Sequence, residues 1–195
     1  TLSLENISSI GSYGLFSNYT AIHGKKNKLA YYLYYYKRDT KGYRENSNSN
    51  SEAQFASLQY DASPNFKIIA EFGRSQYKFQ IPGPLTDAMF NSDPRQSTRS
   101  RNYFSPDIYL PSLRFNYILS NKANISWVTS AVLGTRNSVQ FIGFANDRDT
   151  INFATHQYKN RQVDIDEFNS YSSEVKYFQK YTAFGFDHNL VTGVR

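Results

Sequence analysis

The chain has 195 residues and no cysteine, enough for one domain or a small pair, and a disulfide framework or a thiolate metal site is excluded. Its formal charge of +6 is scattered over loops and turns with no basic stripe or recognition motif, so nucleic acid is not an expected partner. Mean hydropathy is −0.62 and no apolar run approaches the roughly 20 residues of a membrane-spanning helix. A barrel strand shows lipid only one face, so this composition still leaves a membrane β-barrel open.

The aromatic content is unusual, with 17 Tyr and 15 Phe against one Met and one Trp. Aromatic residues favour strands, and tyrosine suits surfaces that are part apolar and part wet. Thr1 to Ile10 suggests only a short extended lead-in. Ser12 to Ile22 alternates, with Tyr13, Leu15, Tyr19 and Ala21 on one face, and Gly24 to Lys28 reads as a tight polar turn. Leu29 to Thr40 places Leu29, Tyr31, Leu33 and Tyr35 opposite Ala30, Tyr32, Tyr34 and Tyr36. Its consecutive aromatics leave no polar helical face.

Lys41 to Ser51 is an Asn/Ser-rich connection. Ala53 to Tyr60 and Phe66 to Gln80 then alternate around a turn at Ala62 to Asn65. Ile81 to Tyr109 has no regular apolar period and contains Pro82, Pro84, Pro94 and Pro106, so it is predicted to be a long loop mounted between strands. Arg95, Arg99 and Arg101 fall within seven residues of it, where planar guanidinium forks could gather on an anion. The plainer reading is a solvated basic loop. Strands are predicted again at Leu110 to Leu119, Ile125 to Thr135 and Tyr171 to Phe178. A second long connection covers Gly143 to Phe168, and a last strand covers Asn189 to Val194.

The connections alternate between short and long along the whole chain. An up-and-down sheet does this when tight turns lie at one end and long loops at the other, as in an outer-membrane barrel. Lys67, Glu71, Arg114, Asn116, Glu174 and Lys176 share one strand face, consistent with a wet interior. The predicted fold class is therefore all-β, an antiparallel up-and-down transmembrane β-barrel of which about eight strands are present. A soluble meander is the competing architecture.

Several stretches carry a family likeness: GSYGLFSNY (11–19), YYLYYYKRDTKGYRENS (31–47), GPLTDAMFNSDPRQSTRSRNYF (83–104), RNSV (136–139) and NRQVDIDEF (160–168). They resemble the barrel of TonB-dependent outer-membrane receptors, and within these the ferric-dicitrate transporter group. The likeness runs over nearly the whole chain and is most specific in the long-loop block. It implies a 22-stranded barrel with a plugged lumen in the outer membrane of a Gram-negative cell. It also implies import of an iron chelate or other small solute, driven by TonB acting through the N-terminal region. The plug domain, the TonB box and the later strands of such a receptor are not in this sequence, and Arg195 is not the terminal aromatic of many such barrels. Residues 1–195 are thus expected to be one part of a larger barrel. The alternative is a small stand-alone outer-membrane barrel that binds or adheres.

Ferric citrate is anionic and oxygen-rich, so the resemblance implies capture by Arg, Gln and Tyr rather than by direct metal ligands. Charge and loop position single out Arg95, Gln96, Arg99 and Arg101, with Arg136, Arg148 and Arg161 as a second set. Asp147, Asp149, Asp164 and Asp166 could supply oxygen ligands to Ca²⁺, but they lack the glycine and distal glutamate of an EF-hand loop, so salt bridges are the expected role. His23, His156 and His188 are isolated, and GxSxG, P-loop and GxGxxG motifs are missing. No enzyme activity, metal site or cofactor is expected. The aromatic excess is expected to form interface girdles, with sugar stacking as the sharper alternative for Tyr32, Tyr34 and Tyr36.

Overall fold

A computed structural model describes residues 2–195. Nine long strands form one antiparallel sheet in which each pairs with the next. They are β1 (Leu2–Gly11), β2 (Leu15–Lys26), β3 (Leu29–Thr40), β4 (Ser49–Ser63), β5 (Phe66–Gln80), β6 (Tyr103–Ser120), β7 (Ala123–Gln140), β10 (Gln162–Ala183) and β11 (Phe186–Val194). A small hairpin, β8 (Ile151–Asn152) with β9 (Gln157–Tyr158), lies in the connection between β7 and β10, and one short helix, α1 (Asp87–Ser92), lies between β5 and β6. The sheet is the all-β, up-and-down arrangement that the alternating connections predict.

Tight turns at residues 27–28, 64–65, 121–122 and 184–185 mark one end. At Phe184 and Gly185 both φ angles are positive (52° and 79°), the turn whose twist matches a two-residue hairpin. The opposite end carries the connections 12–14, 41–48, 81–102 and 141–161. β1 and β11 are edges and do not pair with each other, so these nine strands form an open sheet.

Three sequence expectations need correction. The lead-in at the N-terminus is a complete strand, paired from Leu2↔Gly24 to Gly11↔Leu15. The loop expected over Ile81 to Tyr109 ends at residue 102, because β6 absorbs both Pro106 and Pro111. A proline removes one ladder donor and is normally confined to sheet edges. Here the pairing to β5 has a gap at Ser105 and Pro106, and the pairing to β7 has a gap at Leu110 and Pro111. Each proline thus sits where one of its two ladders is interrupted. The second loop likewise stops at residue 161, and Asp164 and Asp166 lie on β10, paired with Ser138 and Arg136. In the upper part of β10 Val163 and Ile165 alternate with Gln162, Asp164 and Asp166, but Glu167 and Phe168 break the pattern, which conceals the strand period.

The register sorts the sheet into two faces. Lys67, Asn116, Ser126 and Lys176 form one row, Ile69, Arg114, Val128 and Glu174 the next, and Glu71, Ser112, Ser130 and Ser172 a third. All six charged and polar residues assigned to one face by alternation therefore do share it. On the reverse side run Phe66–Tyr117–Ile125–Tyr177, Ile68–Phe115–Trp127–Val175 and Leu4–Ile22–Leu33–Ala56–Phe72–Pro111.

No second layer covers the apolar face. Among the described residues the buried apolar side chains are Ala21, Pro106, Ala123 and Phe141, while Leu58 and Trp127 remain 46% and 43% exposed. A sheet in water hides such a face against another layer.

Tyr32 and Tyr34 lie on the polar face, in rows with Ser57 and Glu71 and with Phe55 and Gly73. They pack with Tyr19, His23 and Phe55, including a Tyr34–Phe55 stack at 5.7 Å. Tyr36 shares this face. These tyrosines therefore stand apart from a girdle on the apolar side, which is built instead by Tyr60, Phe66, Phe115, Tyr117 and Trp127.

Candidate functional site

The long connections carry most of the predicted site residues, and three arginines hold these loops together. In loop 81–102 the chain reverses at Gly83, whose φ of +81° suits glycine, and a Cβ there would lie 2.4 Å from Arg99 Cγ. The carbonyl of Pro82 accepts the N–H groups of Thr98 and Arg99 at 3.0 and 3.2 Å. Thr86 caps α1 by accepting the Met89 N–H at 3.2 Å.

Arg44, from loop 41–48, donates through Nη1 to Gly83 O at 2.8 Å and through Nε and Nη2 to Gln96 O at 3.1 and 2.9 Å. Asn46 adds a bond to Ser97 Oγ at 3.1 Å. Arg44 was not among the sequence candidates. Its acceptors are backbone carbonyls, which every residue carries, so no residue pattern announces the contact.

Arg99 is the second clamp, with only 1% of its surface exposed. Nε donates to Phe141 O (3.3 Å), Nη1 to Thr98 O (2.8 Å) and Asp147 O (3.0 Å), and Nη2 to Gly143 O (2.8 Å) and Phe144 O (3.0 Å). Its guanidinium also lies 4.6 Å from the Phe141 ring centre. All five N–H donors of the side chain are committed. Arg99 therefore joins loop 81–102 to loop 141–161, with every side-chain donor bonded within the protein.

Arg161 is the third. Nη2 bonds both oxygens of Asp149 at 2.6 and 2.7 Å, and Nη1 reaches Asn102 Oδ1 at 3.1 Å. The Asp149 side chain is fully buried and that of Arg161 is 10% exposed. Asn102 Oδ1 also accepts the Phe141 N–H at 2.8 Å, which ties the top of β6 to the end of β7. Gln96 too is structural, donating from Nε2 to Met89 O and Asp93 O at 2.7 and 3.0 Å. Arg99 and Arg161 are thus enclosed and paired within the loops, and Gln96, half-buried, has its Nε2 engaged there.

The other candidates face outward. Arg95 is exposed, donates from Nε to Tyr43 O at 3.2 Å, and lies 5.6 and 5.8 Å from the rings of Tyr13 and Tyr43, which meet edge to face. Arg101 is exposed and stacks on Tyr158 at 3.2 Å. Arg148 is exposed and makes no hydrogen bond or ion pair among the described residues. Arg136 lies on β7 rather than in a loop and pairs with Asp166 at 2.7 Å. The predicted set thus ranges from Arg99, enclosed by the loops with every donor bonded, to Arg95, Arg101 and Arg148, which keep donors in the open.

The loop carboxylates are engaged in the same way. Asp147 pairs with Lys159, Asp149 with Arg161 and Asp166 with Arg136. Asp164 accepts bonds from Gln162 Nε2 at 2.9 Å and Ser138 Oγ at 2.8 Å, and these hold its carboxyl below the ordinary carboxylate range.

No protein-family model and no curated protein sequence matches the chain. Solved structures do. The unliganded ferric citrate transporter FecA superposes with a TM-score of 0.79 over 98% of this chain, at 16% sequence identity. The sheet has the same fold as part of that protein. The ferric-catecholate import receptor Fiu of E. coli K12 matches over 97% of the chain in its open form (TM-score 0.73, 13% identity) and its closed form (0.69, 11%). These neighbours are a transporter and a receptor. The chain spans 27% of the first and 33% and 30% of the two Fiu chains, about a quarter to a third of their lengths.

Proposed function

We propose that this chain forms part of the wall of a TonB-dependent outer-membrane barrel that takes up an anionic iron chelate. The observation that carries the membrane reading is the uncovered apolar face, which has no second layer and backs onto rows of Lys, Glu, Asn and Ser. Lipid satisfies the first face and a water-filled lumen the second. β6 presents Tyr109, Pro111, Leu113, Phe115, Tyr117 and Leu119 on the apolar side, an 11-residue span that matches the about 9–11 residues a tilted strand needs to cross a bilayer. The open edges at β1 and β11 fit a section of a larger barrel better than a small closed one. On this reading the long loops face outward from the cell, and TonB engages a region outside these residues.

Arg95, Arg101 and Arg148 are the arginines available to an anionic chelate, each exposed and two of them braced by tyrosines. Ferric citrate is the chelate we favour, on the combined support of the sequence resemblance and the FecA fold. Binding of ferric citrate and of a ferric catecholate to the intact protein tests both levels. The Arg95→Ala/Arg101→Ala variant is expected to bind its chelate at least roughly tenfold more weakly, the loss of two charge-assisted contacts. Unchanged affinity for every iron chelate tried would refute the solute reading. Failure of the protein to fold in detergent or bilayers would refute the membrane reading.

A further inference from the structure

Two phenols meet on the wet face of the sheet. Tyr19 of β2 lies opposite Tyr36 and Tyr32 of β3 lies opposite His23, so the two are offset by four residues along the paired strands. Their hydroxyls are nevertheless in hydrogen-bond contact. The two side chains therefore lean towards each other and close over the row between them, Ala21–Tyr34. Ala21 is buried there, and the Tyr34 ring centre lies 5.5 Å from that of Tyr19 and 6.2 Å from that of Tyr32. The partner of Ala21 on β1 is Glu5, which places a carboxylate on the same face beside the phenol pair. His23 stands next to Tyr32, with ring centres 6.2 Å apart.

These donors are uncommitted. Each phenol oxygen bonds only the other, and neither Glu5 nor His23 has a hydrogen bond or ion pair among the described residues. Both Glu5 and His23 are exposed. No three His, Cys, Asp or Glu side chains gather among the described residues, so the usual donor set of a divalent ion is not present. Phenols change the donor class. A phenolate is a hard, anionic oxygen ligand that suits a small trivalent ion, and two phenolates with one carboxylate balance the charge of Fe³⁺.

The cluster lies down the wall rather than at its rim. Tyr34 precedes loop 41–48 by seven residues, and Leu33 beside it belongs to the apolar rows of the reverse face. At about 3.3 Å per residue and a tilt of about 40°, the phenol pair is roughly 18 Å below that loop. It is therefore distinct from the exposed loop arginines.

Resting on the lumen reading above, we propose that Tyr19, Tyr32 and Glu5 form a ferric-iron site on the inner wall, with His23 as a further nitrogen donor. Fe³⁺ displaces one proton from each phenol, both protons pass to water, and the iron stays ferric. The carboxylate binds as it is, and the remaining positions go to water or to oxygens of the chelate. The wall thus offers the ion itself a station below the loops that take its chelate.

Titration of the intact protein in detergent with ferric nitrilotriacetate, followed by visible absorption and resonance Raman, tests this. The parent should develop a phenolate-to-iron charge-transfer band. Tyr19→Phe and Tyr32→Phe each remove one hydroxyl and keep the packed ring. Each should bind iron at least roughly tenfold more weakly, and the double variant should show no band. Glu5→Gln should keep the band with affinity lowered roughly tenfold. Tyr117→Phe, on the apolar face, should behave as the parent does. A parent without the band, a double variant as coloured as the parent, unchanged affinity in Glu5→Gln, or displacement of the iron by equimolar Zn²⁺ would overturn the proposal. Ferric citrate affinity on the same samples separates this site from the solute reading. No ferric citrate binding with the band intact would refute the solute reading and still support the site, whereas ferric citrate binding without the band would refute the site alone.

Discussion

Replacing Arg99 with alanine separates a loop clamp from a solute contact. The side chain is buried, and its five bonds end on carbonyls of residues 98, 141, 143, 144 and 147. Each bond from a charged donor contributes about 1.5–3 kcal/mol, but the carbonyls recover water once the loops part, so the contributions do not sum. Removal of one member of a buried charged network costs about 3–5 kcal/mol. At about 1.4 kcal/mol per tenfold, local opening of loops 81–102 and 141–161 becomes roughly 100-fold to several thousand-fold more populated. Amide hydrogen exchange of the protein without solute reads this directly. Protection should collapse at Thr98, Arg99 and Phe141, while the centres of β5 and β6 keep theirs, because Arg99 makes no contact with those strands. Arg101→Ala, which removes an exposed ring contact, should change protection at these positions by less than about tenfold. If Arg99→Ala leaves loop exchange unchanged and only weakens solute binding, the clamp reasoning is wrong.

Two further outcomes follow from the same geometry. Phe115→Lys places a charge in the middle of the apolar face, whereas Asn116→Lys places one on the polar face beside Lys67. Insertion into phosphocholine vesicles should be destabilised by about 2–4 kcal/mol in the first and by much less in the second, and equal losses in a urea titration would contradict the assignment of faces. Asp164 lies on β10 well above the apolar rows, and its carboxyl is held below the ordinary range chiefly by Gln162 and then by Ser138. A carboxyl depressed in the folded state stabilises the fold at all pH values above its unfolded pKa of about 3.9, and that contribution fades as pH falls through the lower folded value. Exchange protection where β7 meets β10, at Ser138 and Val139, should therefore drop below about pH 4, and Asp164→Asn should remove that step. A step that persists in the variant would assign it to another group.

The sheet was legible because a strand writes its burial into every second residue. Ile68, Phe115 and Trp127 could be placed on one face, and Lys67, Asn116 and Lys176 on the other, from alternation alone, and the registers put each trio in its row. The short turns and long connections followed from the spacing between alternating runs. The limits of the loops were harder to read. Pro106 looks like a strand breaker until it is seen to occupy a gap in one ladder, and the alternation of Val163 and Ile165 on β10 is cut short where Glu167 and Phe168 exchange faces.

By itself, then, the sequence determined an up-and-down sheet with one greasy face, one wet face and arginine-rich loops at one end. Only the tertiary structure decided which arginines are structural. Arg95, Arg99 and Arg101 are chemically alike and lie within seven residues, yet Arg99 is buried while its neighbours stack on tyrosines in the open. The difference lies in the number of acceptors, since Arg95 reaches one distant carbonyl, that of Tyr43, and Arg99 reaches four. Arg99 is held by carbonyls more than 40 positions away in sequence, and a carbonyl has no residue type to reveal where the fold will bring it.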